Sequence, residues 1–215
     1  MQETVGDMVQ QLAMQRLEGG RDPQMDALLA LYERAIPARE RKSRQAIRDL
    51  TGSPDQDVVA ATLGGEVVGF FIQFRSPKLA LLEYMAVDEG RRRLGLGGAM
   101  FRHAHTLAGA RPLLLEVESE REQTPELALR RQRMAFYRRL GCRLLTPLDY
   151  QLPLAGEGPP PIMDLLVHGL DAPDVEAAEV AHWLREIYRG VYGLAQDDPR
   201  LIAAIAGMPP RLLLT

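Results

Sequence analysis

An apolar strand that leads through an arginine- and glycine-rich loop into a helix is the feature that most constrains how this chain can fold. The strand is predicted over residues 79–87, and the loop reads Arg92-Arg93-Leu94-Gly95-Leu96-Gly97-Gly98. Glycine lets the backbone approach a ligand closely, and the first N–H groups of a helix have no partner within the helix. Because the helix dipole adds positive charge there, the loop predicts an anion site suited to phosphate.

Other interpretations of the same loop stay open. The glycines could serve only the packing of a tight strand-to-helix turn. A dinucleotide-binding fingerprint needs Gly-x-Gly-x-x-Gly, but the third glycine is misplaced in residues 95–100. A P-loop needs Gly-Lys followed by Ser or Thr, which the loop lacks. A nucleotide-binding module that prefers ATP or NAD is therefore an alternative rather than the main prediction.

Hydrophobic periodicity predicts alternating strands and helices around this loop. Strands are expected over residues 9–17, 57–63, 66–74, 79–87, 112–117, 143–154 and 162–169. Helices are expected from Asp22-Pro23 onward and over residues 43–50, 95–108, 124–140, 173–192 and 200–206. Gly64-Gly65 predicts a two-residue hairpin, and a Gly/Pro-rich loop is expected over 156–161. Antiparallel hairpins followed by helix-linked strands predict a mixed α/β or α+β sheet with helices on both faces.

Composition limits the class of protein and its partners. The chain has 215 residues, of which 46% are hydrophobic and 26% are charged, so a sizeable core can be buried. A net charge of −3 argues against a nucleic-acid partner. A single cysteine, Cys142, allows no intrachain disulfide and fits a cytoplasmic location. Without a signal-peptide pattern or an apolar run of about 20 residues, we expect a soluble protein that does not enter a membrane.

Four short motifs follow one another between Tyr84 and Cys142. Residues 92–97 are similar to a (Gln/Arg)-x-x-Gly-x-(Gly/Ala) loop, and Tyr84-Met85-Ala86-Val87-Asp88 looks like the strand that leads into it. Leu115-Glu116-Val117 and the segment 136–142, Phe-Tyr-Arg-Arg-Leu-Gly-Cys, match two further motifs downstream. In order and spacing these motifs resemble the GNAT superfamily of N-acetyltransferases, and by element order the resemblance covers residues 9–170.

The resemblance implies a fold, a co-substrate and a binding site. The fold is a mixed, mostly antiparallel sheet whose fourth and fifth strands splay apart, with an acetyltransferase domain over 1–170 and a C-terminal helical extension over 171–215. Acetyl-CoA is the implied co-substrate, and an amine attacks its thioester directly in a ternary complex. The backbone groups implied in acetyl-CoA binding are those of Met85, Ala86 and Val87 for pantetheine, and of Arg92, Arg93, Leu94, Gly95, Leu96, Gly97, Gly98 and Ala99 for pyrophosphate.

Catalytic candidates follow from the same resemblance. Tyr137 matches the tyrosine that protonates the leaving sulfur, although it could instead be a core aromatic residue. Glu116 matches the general base of the ribosomal-protein branch, and burial in its apolar strand would raise its pKa. Glu83 is the second candidate base and Glu118 the third, while a relayed water or an exposed edge carboxylate is the alternative for each.

Several positions depart from the family pattern. Arg130 stands where the family often has an asparagine that holds pantetheine, and Cys142 replaces a phenylalanine. We expect residues 130–133 to form a solvated helix face and Cys142 to be a buried structural thiol. The four histidines show no metal-ligand spacing. The polar segment 118–126 lengthens the connection after the fifth strand and predicts a distinctive acceptor site.

The acceptor and the assembly stay open at the level of sequence. Three glutamates near the expected channel, Glu83, Glu116 and Glu118, would suit a cationic amine. A small-molecule amine is the main expectation. A peptide or protein N-terminus, a protein lysine, or a non-catalytic acyl-CoA sensor is the alternative. The amphipathic stripe of the C-terminal extension predicts packing on its own domain or a homodimer.

Overall fold

The computed structural model describes residues 11–153 and 162–215, which form two compact units. The first unit contains the described residues up to Arg75 together with Leu82–Gly109, and the second contains Ser76–Leu81 and the described residues from Ala110 onward. The loop expected over 156–161 and the first residues of the strand expected over 9–17 lie outside the described residues.

Short strands and helices of two to four turns make up most of the described ranges. The strands are β1 Ala13–Arg16, β2 Gln56–Leu63, β3 Glu66–Arg75, β4 Ala80–Val87, β5 Leu113–Glu118, β6 Arg143–Thr146, β7 Tyr150–Gln151, β8 Ile162–His168, β9 Asp174–Glu176 and β10 Arg211–Leu214. The helices are α1 Met25–Ala35, α2 Arg44–Leu50, α3 Leu96–Ala108, α4 Leu127–Arg139, α5 Ala177–Gly190 and α6 Pro199–Ala206. None of the helices in the described ranges is long and apolar enough to cross a membrane.

The sheet of the first unit has the order β1-β2-β3-β4 and is layered between helices. The predicted hairpin joins β2 to β3, and Gly64 and Gly65 adopt the positive φ values, 56° and 87°, that its turn requires. Alternate residues of β2 and β3 pack against α1 and α2 on one face. The opposite face carries Phe71, whose ring lies 6.0 Å from the imidazole of His103 on α3. Helices therefore cover both faces of this part of the sheet, as the sequence predicted.

A bulge in β3 fixes the point at which β4 ends. Ala61 pairs with Gly69 and Thr62 pairs with Val67, so Val68 is an extra residue on the bulged strand. The carbonyl of Val68 accepts the N–H of Asp88, at 2.8 Å, directly after the last residue of β4. The bulge thus sets where the strand gives way to the arginine- and glycine-rich loop.

The second unit is built on an antiparallel sheet that the C-terminal segment completes. Its strands follow the order β5-β8-β6-β10-β9, with β7 also pairing β8. β10 pairs with β6 through Leu213 and Thr146, and with β9 through Leu212 and Val175. Helix α5 buries an apolar face that includes Trp183. The C-terminal extension therefore contributes two strands to the sheet, in addition to the predicted helices.

β4 and β5 begin side by side and then diverge. In the second unit, the N–H of Ala80 donates to the carbonyl of Pro112 at 3.0 Å. After Leu81, the residues of β4 belong to the first unit, whereas β5 stays in the second. The mixed α/β fold with a mostly antiparallel sheet and splayed β4 and β5 is thereby confirmed.

Several predicted boundaries differ from the structure. The helix expected from Asp22 begins at Met25, because the Asp22 carboxylate accepts the N–H of Gln24 in a preceding turn. The strand expected over 143–154 is divided into β6 and β7, with Pro147 unable to continue the ladder. The helix expected over 173–192 begins only at Ala177, because Asp174–Glu176 pair as β9.

Replacement of Gly69 by alanine is expected to destabilise the first unit. A Cβ at this position would lie 2.7 Å from the Met100 sulfur and 3.0 Å from the Ala86 carbonyl oxygen. Overpacking of this kind costs about 1–3 kcal/mol, so Gly69→Ala should lower the free energy of unfolding by that amount in urea titration.

Gly207→Ala is the matched control. A Cβ there meets only the Ala203 and Ala204 carbonyl oxygens, at 3.5 and 3.9 Å, and the glycine has a negative φ of −82°. A change of less than about 0.5 kcal/mol is expected for the control. Equal stabilities of Gly69→Ala and the parent protein would show that the approach of α3 and β4 to β3 is not tight.

Candidate functional site

The loop after β4 is held in an unusual backbone conformation. A 3-10 turn at Glu89–Arg91 follows the strand, and the Asp88 side chain accepts the N–H of Gly90 at 3.1 Å. Arg93 then adopts a φ of 69°, the one positive value among the described non-glycine residues. Left-handed conformations of this kind cost non-glycine residues about 1 kcal/mol or more and concentrate at functional sites.

The start of α3 offers backbone donors to a ligand. Gly95 is the N-cap residue with a φ of 76°, and no side chain caps the N–H groups of the first turn. Leu96 and Met100 are buried and anchor the helix on its inner face, whereas Arg92 and Arg93 are exposed. The result is an uncapped, positively polarised helix start beside exposed guanidinium groups, which is the arrangement that binds phosphates.

The residues that lead into this loop lie at the half-buried end of β4. Met85, Ala86 and Val87 are all partly exposed, in contrast to the fully buried start of the strand. The Ala86 carbonyl faces Gly69 of β3, where the absent side chain allows the close approach of the two strands. Successive carbonyl groups of a strand point in opposite directions. The carbonyls of Met85 and Val87 therefore point away from β3, whereas that of Ala86 points at it.

Glu83 is a buried carboxylate of the first unit. Its side chain is 3% exposed and forms an ion pair and hydrogen bond with the ammonium of Lys42. Burial raises the pKa of Glu83 above its usual value, and Lys42, followed by a weaker contact with Gln56, opposes that rise. Lys42 therefore only partly compensates the desolvation of this carboxylate.

Two tyrosines fix the segment that carries Lys42. The N–H of Lys42 donates to the Tyr32 hydroxyl oxygen, and the Tyr84 hydroxyl donates to the Glu40 carbonyl, both at 2.8 Å. The rings of the two tyrosines meet edge to face, with centroids 5.2 Å apart. The Lys42 ammonium also lies 5.6 Å from the centroid of the Tyr84 ring, within range of a cation–π interaction.

Glu116 is a half-buried carboxylate of the second unit, and two tyrosines donate to it. The Tyr150 hydroxyl donates to one carboxylate oxygen, and the Tyr192 hydroxyl donates to the other at 2.6 Å. Tyr188 packs edge to face against both of these tyrosines. Burial, together with the charge of Glu116, raises the pKa of Tyr150 well above its usual value. The Tyr150 phenol therefore remains a protonated donor at neutral pH.

Arg130 is buried in the core of an ion-pair network, so the prediction of a solvated face at this residue is wrong. Its side chain is 6% exposed and pairs with Glu118 at 3.0 Å and with Glu122 at 2.8 Å. Burial opposes its charged form, but the two carboxylates prevail and raise the pKa of Arg130. Arg133 adds a second contact to Glu118 at 3.0 Å. Both carboxylate oxygens of Glu118 therefore pair with arginines of α4. Glu122, in the segment after β5, pairs with the same helix.

Tyr137 lies on α4 in a buried position. Burial raises the pKa of its phenol to about 12, so the hydroxyl keeps its proton at neutral pH. Its ring packs edge to face against that of Phe136, with centroids 5.1 Å apart.

Cys142 is buried as predicted, and burial raises the pKa of its thiol to about 12, which suits a structural rather than a nucleophilic role.

The sequence-predicted residues divide between the two units. Residues 83, 85–87 and 92–99 belong to the first, and Glu116, Glu118 and Tyr137 to the second. Lys42, Tyr150 and Tyr192 were not predicted, and each contacts a candidate glutamate. Only the scarcity of lysine, with two in the chain, could have drawn attention to Lys42. Within the described ranges, no cluster of three His, Cys, Asp or Glu side chains could hold a metal ion.

A sequence model of one family matches the chain. Residues 54–142 match the family described as the acetyltransferase (GNAT) domain. This range contains β4, the loop and the start of α3, as well as Glu116 and Tyr137. No curated protein sequence matches the chain.

Solved structures share the fold at low sequence identity. A protein assigned to the GNAT acetyltransferase family from Bacteroides thetaiotaomicron is 22% identical with a TM-score of 0.70, over 85% of this chain and 99% of that one. The ribosomal-protein-S18-alanine N-acetyltransferase from Escherichia coli is 21% identical with a TM-score of 0.52, over 73% and 92%. An aminoglycoside 6'-N-acetyltransferase in complex with coenzyme A is 18% identical with a TM-score of 0.57, over 75% and 99%.

The family match and the shared fold agree with the motifs that suggested the resemblance. The solved structures show the fold, and the family model identifies the part of the sequence that is similar to the domain. Over residues 54–142 the chain is similar to the acetyltransferase (GNAT) domain, and its fold is shared with solved acetyltransferase structures.

Proposed function

We propose that this protein is an N-acetyltransferase that transfers an acetyl group from acetyl-CoA to a primary amine. The observation that carries the proposal is the uncapped start of α3, preceded by the left-handed Arg93 and Gly95 and lying within the matched acetyltransferase domain. That arrangement suits the pyrophosphate of coenzyme A. A structurally similar protein, the aminoglycoside acetyltransferase, has been solved with coenzyme A, which supports the same ligand here.

The described residues fit acetyl-CoA in charge and in backbone geometry. The N–H groups of residues 92–99 would hold the pyrophosphate, and the exposed guanidinium groups of Arg92 and Arg93 would add charge-assisted contacts. The backbone of residues 85–87, at the half-buried end of β4, would bind pantetheine. When bound, acetyl-CoA supplies an acetyl thioester that is activated toward amines.

The proposed mechanism assigns two proton transfers to side chains of this protein. A carbon–nitrogen bond forms and a carbon–sulfur bond breaks, so the amine loses a proton and the sulfur gains one. In this proposal Tyr137, which remains protonated at neutral pH, donates to the sulfur. Glu116 is the first candidate to accept the amine proton and Glu83 is the second.

The proposed acceptor is a small-molecule amine, with a peptide N-terminus or a protein lysine as the alternative. The segment after β5 supports the first, because Arg130 ties it to α4 through Glu118 and Glu122. Tyr192, from the segment after α5, adds a further fixed group at Glu116. Rigid elements of this kind favour a defined pocket over an open peptide groove.

The remaining expectations concern domains, location and assembly. We keep the division into a catalytic domain over 1–170 and an extension over 171–215 as a proposal, although β10 of the extension pairs with β6. The buried, unpaired Cys142 is compatible with the proposed cytoplasmic location. A homodimer also stays a proposal, which light scattering of the purified protein would test.

Acetyl-CoA and CoA are expected to stabilise the protein against thermal unfolding, whereas ATP and NAD are not. Ligand at about 100 times its dissociation constant adds about 2.7 kcal/mol to the free energy of unfolding. The measurement is differential scanning fluorimetry with each of the four ligands in turn. Stabilisation by ATP or NAD alone would refute the proposed cofactor and favour a nucleotide-binding module.

Tyr137→Phe is expected to lower turnover about 10²- to 10⁴-fold, because general acid catalysis contributes a factor of that size. The same thermal assay should show that the variant still binds CoA, since only the hydroxyl is removed.

Glu116→Gln is expected to reduce turnover while preserving CoA binding. Release of CoA in the presence of a panel of amines and peptides measures both effects. If the parent protein binds CoA but acetylates none of them, a sensor becomes the better hypothesis.

A further inference from the structure

Lys42 is chemically unusual among the cations of this chain. The sequence contains 24 arginines and two lysines, Lys42 and Lys78. Arginine is the residue best suited to a buried pair with a carboxylate, because its planar fork makes two parallel hydrogen bonds. At Glu83, however, the partner is a lysine, whose compact ammonium on an unbranched stem is the same group that a protonated alkylamine presents.

The surroundings of the Lys42 ammonium are those of an alkylammonium site. The Glu83 carboxylate is 3% exposed, and the Tyr84 ring lies 5.6 Å from the ammonium nitrogen. A desolvated carboxylate together with an aromatic ring is the combination that recognises organic cations. Of the two Glu83 oxygens, Oε1 makes no well-formed hydrogen bond to any residue in the described part of the chain. Besides Lys42, the Gln56 side chain contacts this carboxylate.

The ammonium reaches this site on a flexible stem that starts from a fixed backbone. The hydrogen bonds from the Lys42 N–H to Tyr32 and from Tyr84 to the Glu40 carbonyl hold the segment between α1 and α2. The Lys42 side chain itself is 22% exposed, so the stem has a route to solvent. The ammonium can leave by rotation about side-chain bonds, while the carboxylate and the ring stay in place.

We propose that Glu83 and the Tyr84 ring form a binding site for the ammonium group of the amine acceptor, and that Lys42 occupies this site when no acceptor is present. The acceptor class that fits is an unbranched primary alkylammonium, which replaces Lys42 by an exchange of like groups. The acetylation of that acceptor rests on the function proposed above, whereas its binding does not.

A tethered competitor lowers the apparent affinity of the free ligand. A group on a short tether acts at an effective concentration in the millimolar range, and a site that is mostly filled binds free ligand correspondingly more weakly. Removal of the Lys42 ammonium should therefore lower the dissociation constant of a simple alkylammonium by about 10-fold or more.

The first test uses n-butylammonium as the probe, without acetyl-CoA. Lys42→Ala is expected to unfold at a lower temperature than the parent protein, because it leaves a buried carboxylate without its cation. Added n-butylammonium should raise the unfolding temperature of Lys42→Ala much more than that of the parent protein, and uncharged n-butanol should not. The double variant Lys42→Ala/Glu83→Gln should lose the response, and Lys78→Ala, which changes the other lysine, should behave like the parent. Equal responses of Lys42→Ala and the parent protein, or an unchanged response of the double variant, would overturn the proposal.

A second measurement avoids any variant that fails to fold. Because the chain has two lysines, selective isotope labelling of lysine gives two sets of side-chain NMR signals. Titration of the parent protein with n-butylammonium should move the Lys42 signals toward those of a solvent-exposed side chain and leave the Lys78 signals unchanged. Signals of Lys42 that do not move at saturating amine would exclude the exchange.

Turnover separates this proposal from the proposed function and identifies the source of the alkylammonium. With acetyl-CoA present, kcat/KM is compared for cadaverine and for a lysine-containing peptide in the parent protein and in Lys42→Ala. A fall in KM for either substrate in the variant supports the exchange and names the source. Binding of n-butylammonium with no acetylated product would refute the proposed function and leave the ammonium site standing. Acetylation with the same KM in both proteins would refute the ammonium site and leave the function standing.

Discussion

Three glutamates on β4 and β5, one buried and two half-buried, are paired with donors from remote segments, and these contacts hold parts of each unit together. An uncompensated buried carboxylate costs several kcal/mol, so each needs a donor within reach. Glu83 receives a lysine ammonium, Glu116 two phenols, and Glu118 two guanidinium groups. These donors come from remote segments, so each contact also fixes an element: the connection between α1 and α2 in the first unit, and β7, α4 and the residues after α5 in the second.

The sequence predicts the local parts of this arrangement well. Gly64-Gly65 specifies a turn through its own backbone preferences, and residues 92–98 specify a strand-to-helix loop in the same way. Gly141 ends α4 with a φ of 89°, as its position after the helical stripe predicts. In each case the neighbouring residues alone determine the backbone, so no knowledge of distant partners is needed.

The partners of the glutamates could not be predicted, because they depend on contacts across long stretches of sequence. Tyr192 lies 76 residues from Glu116, and nothing in its local pattern distinguishes it from a core aromatic residue. Arg130 illustrates the opposite error, since an arginine among other arginines on a polar helix indicates a solvated face until Glu118 and Glu122 are located. Strand β10 could not be predicted for the same reason, because a four-residue strand is defined by its pairing with β6 and β9.

The chemical identity of each donor determines what its glutamate can do. Glu116 accepts hydrogen bonds from two phenols, whereas Glu83 forms an ion pair with Lys42 that has no net charge. Exchange of the Lys42 ammonium for that of an acceptor would leave this balance unchanged. An ammonium is not a nucleophile until it loses a proton, and a neutral amine beside a neutral carboxylic acid is favoured over an ion pair where water is excluded. The burial that raises the pKa of Glu83 would therefore also lower the cost of moving the acceptor's proton onto this carboxylate.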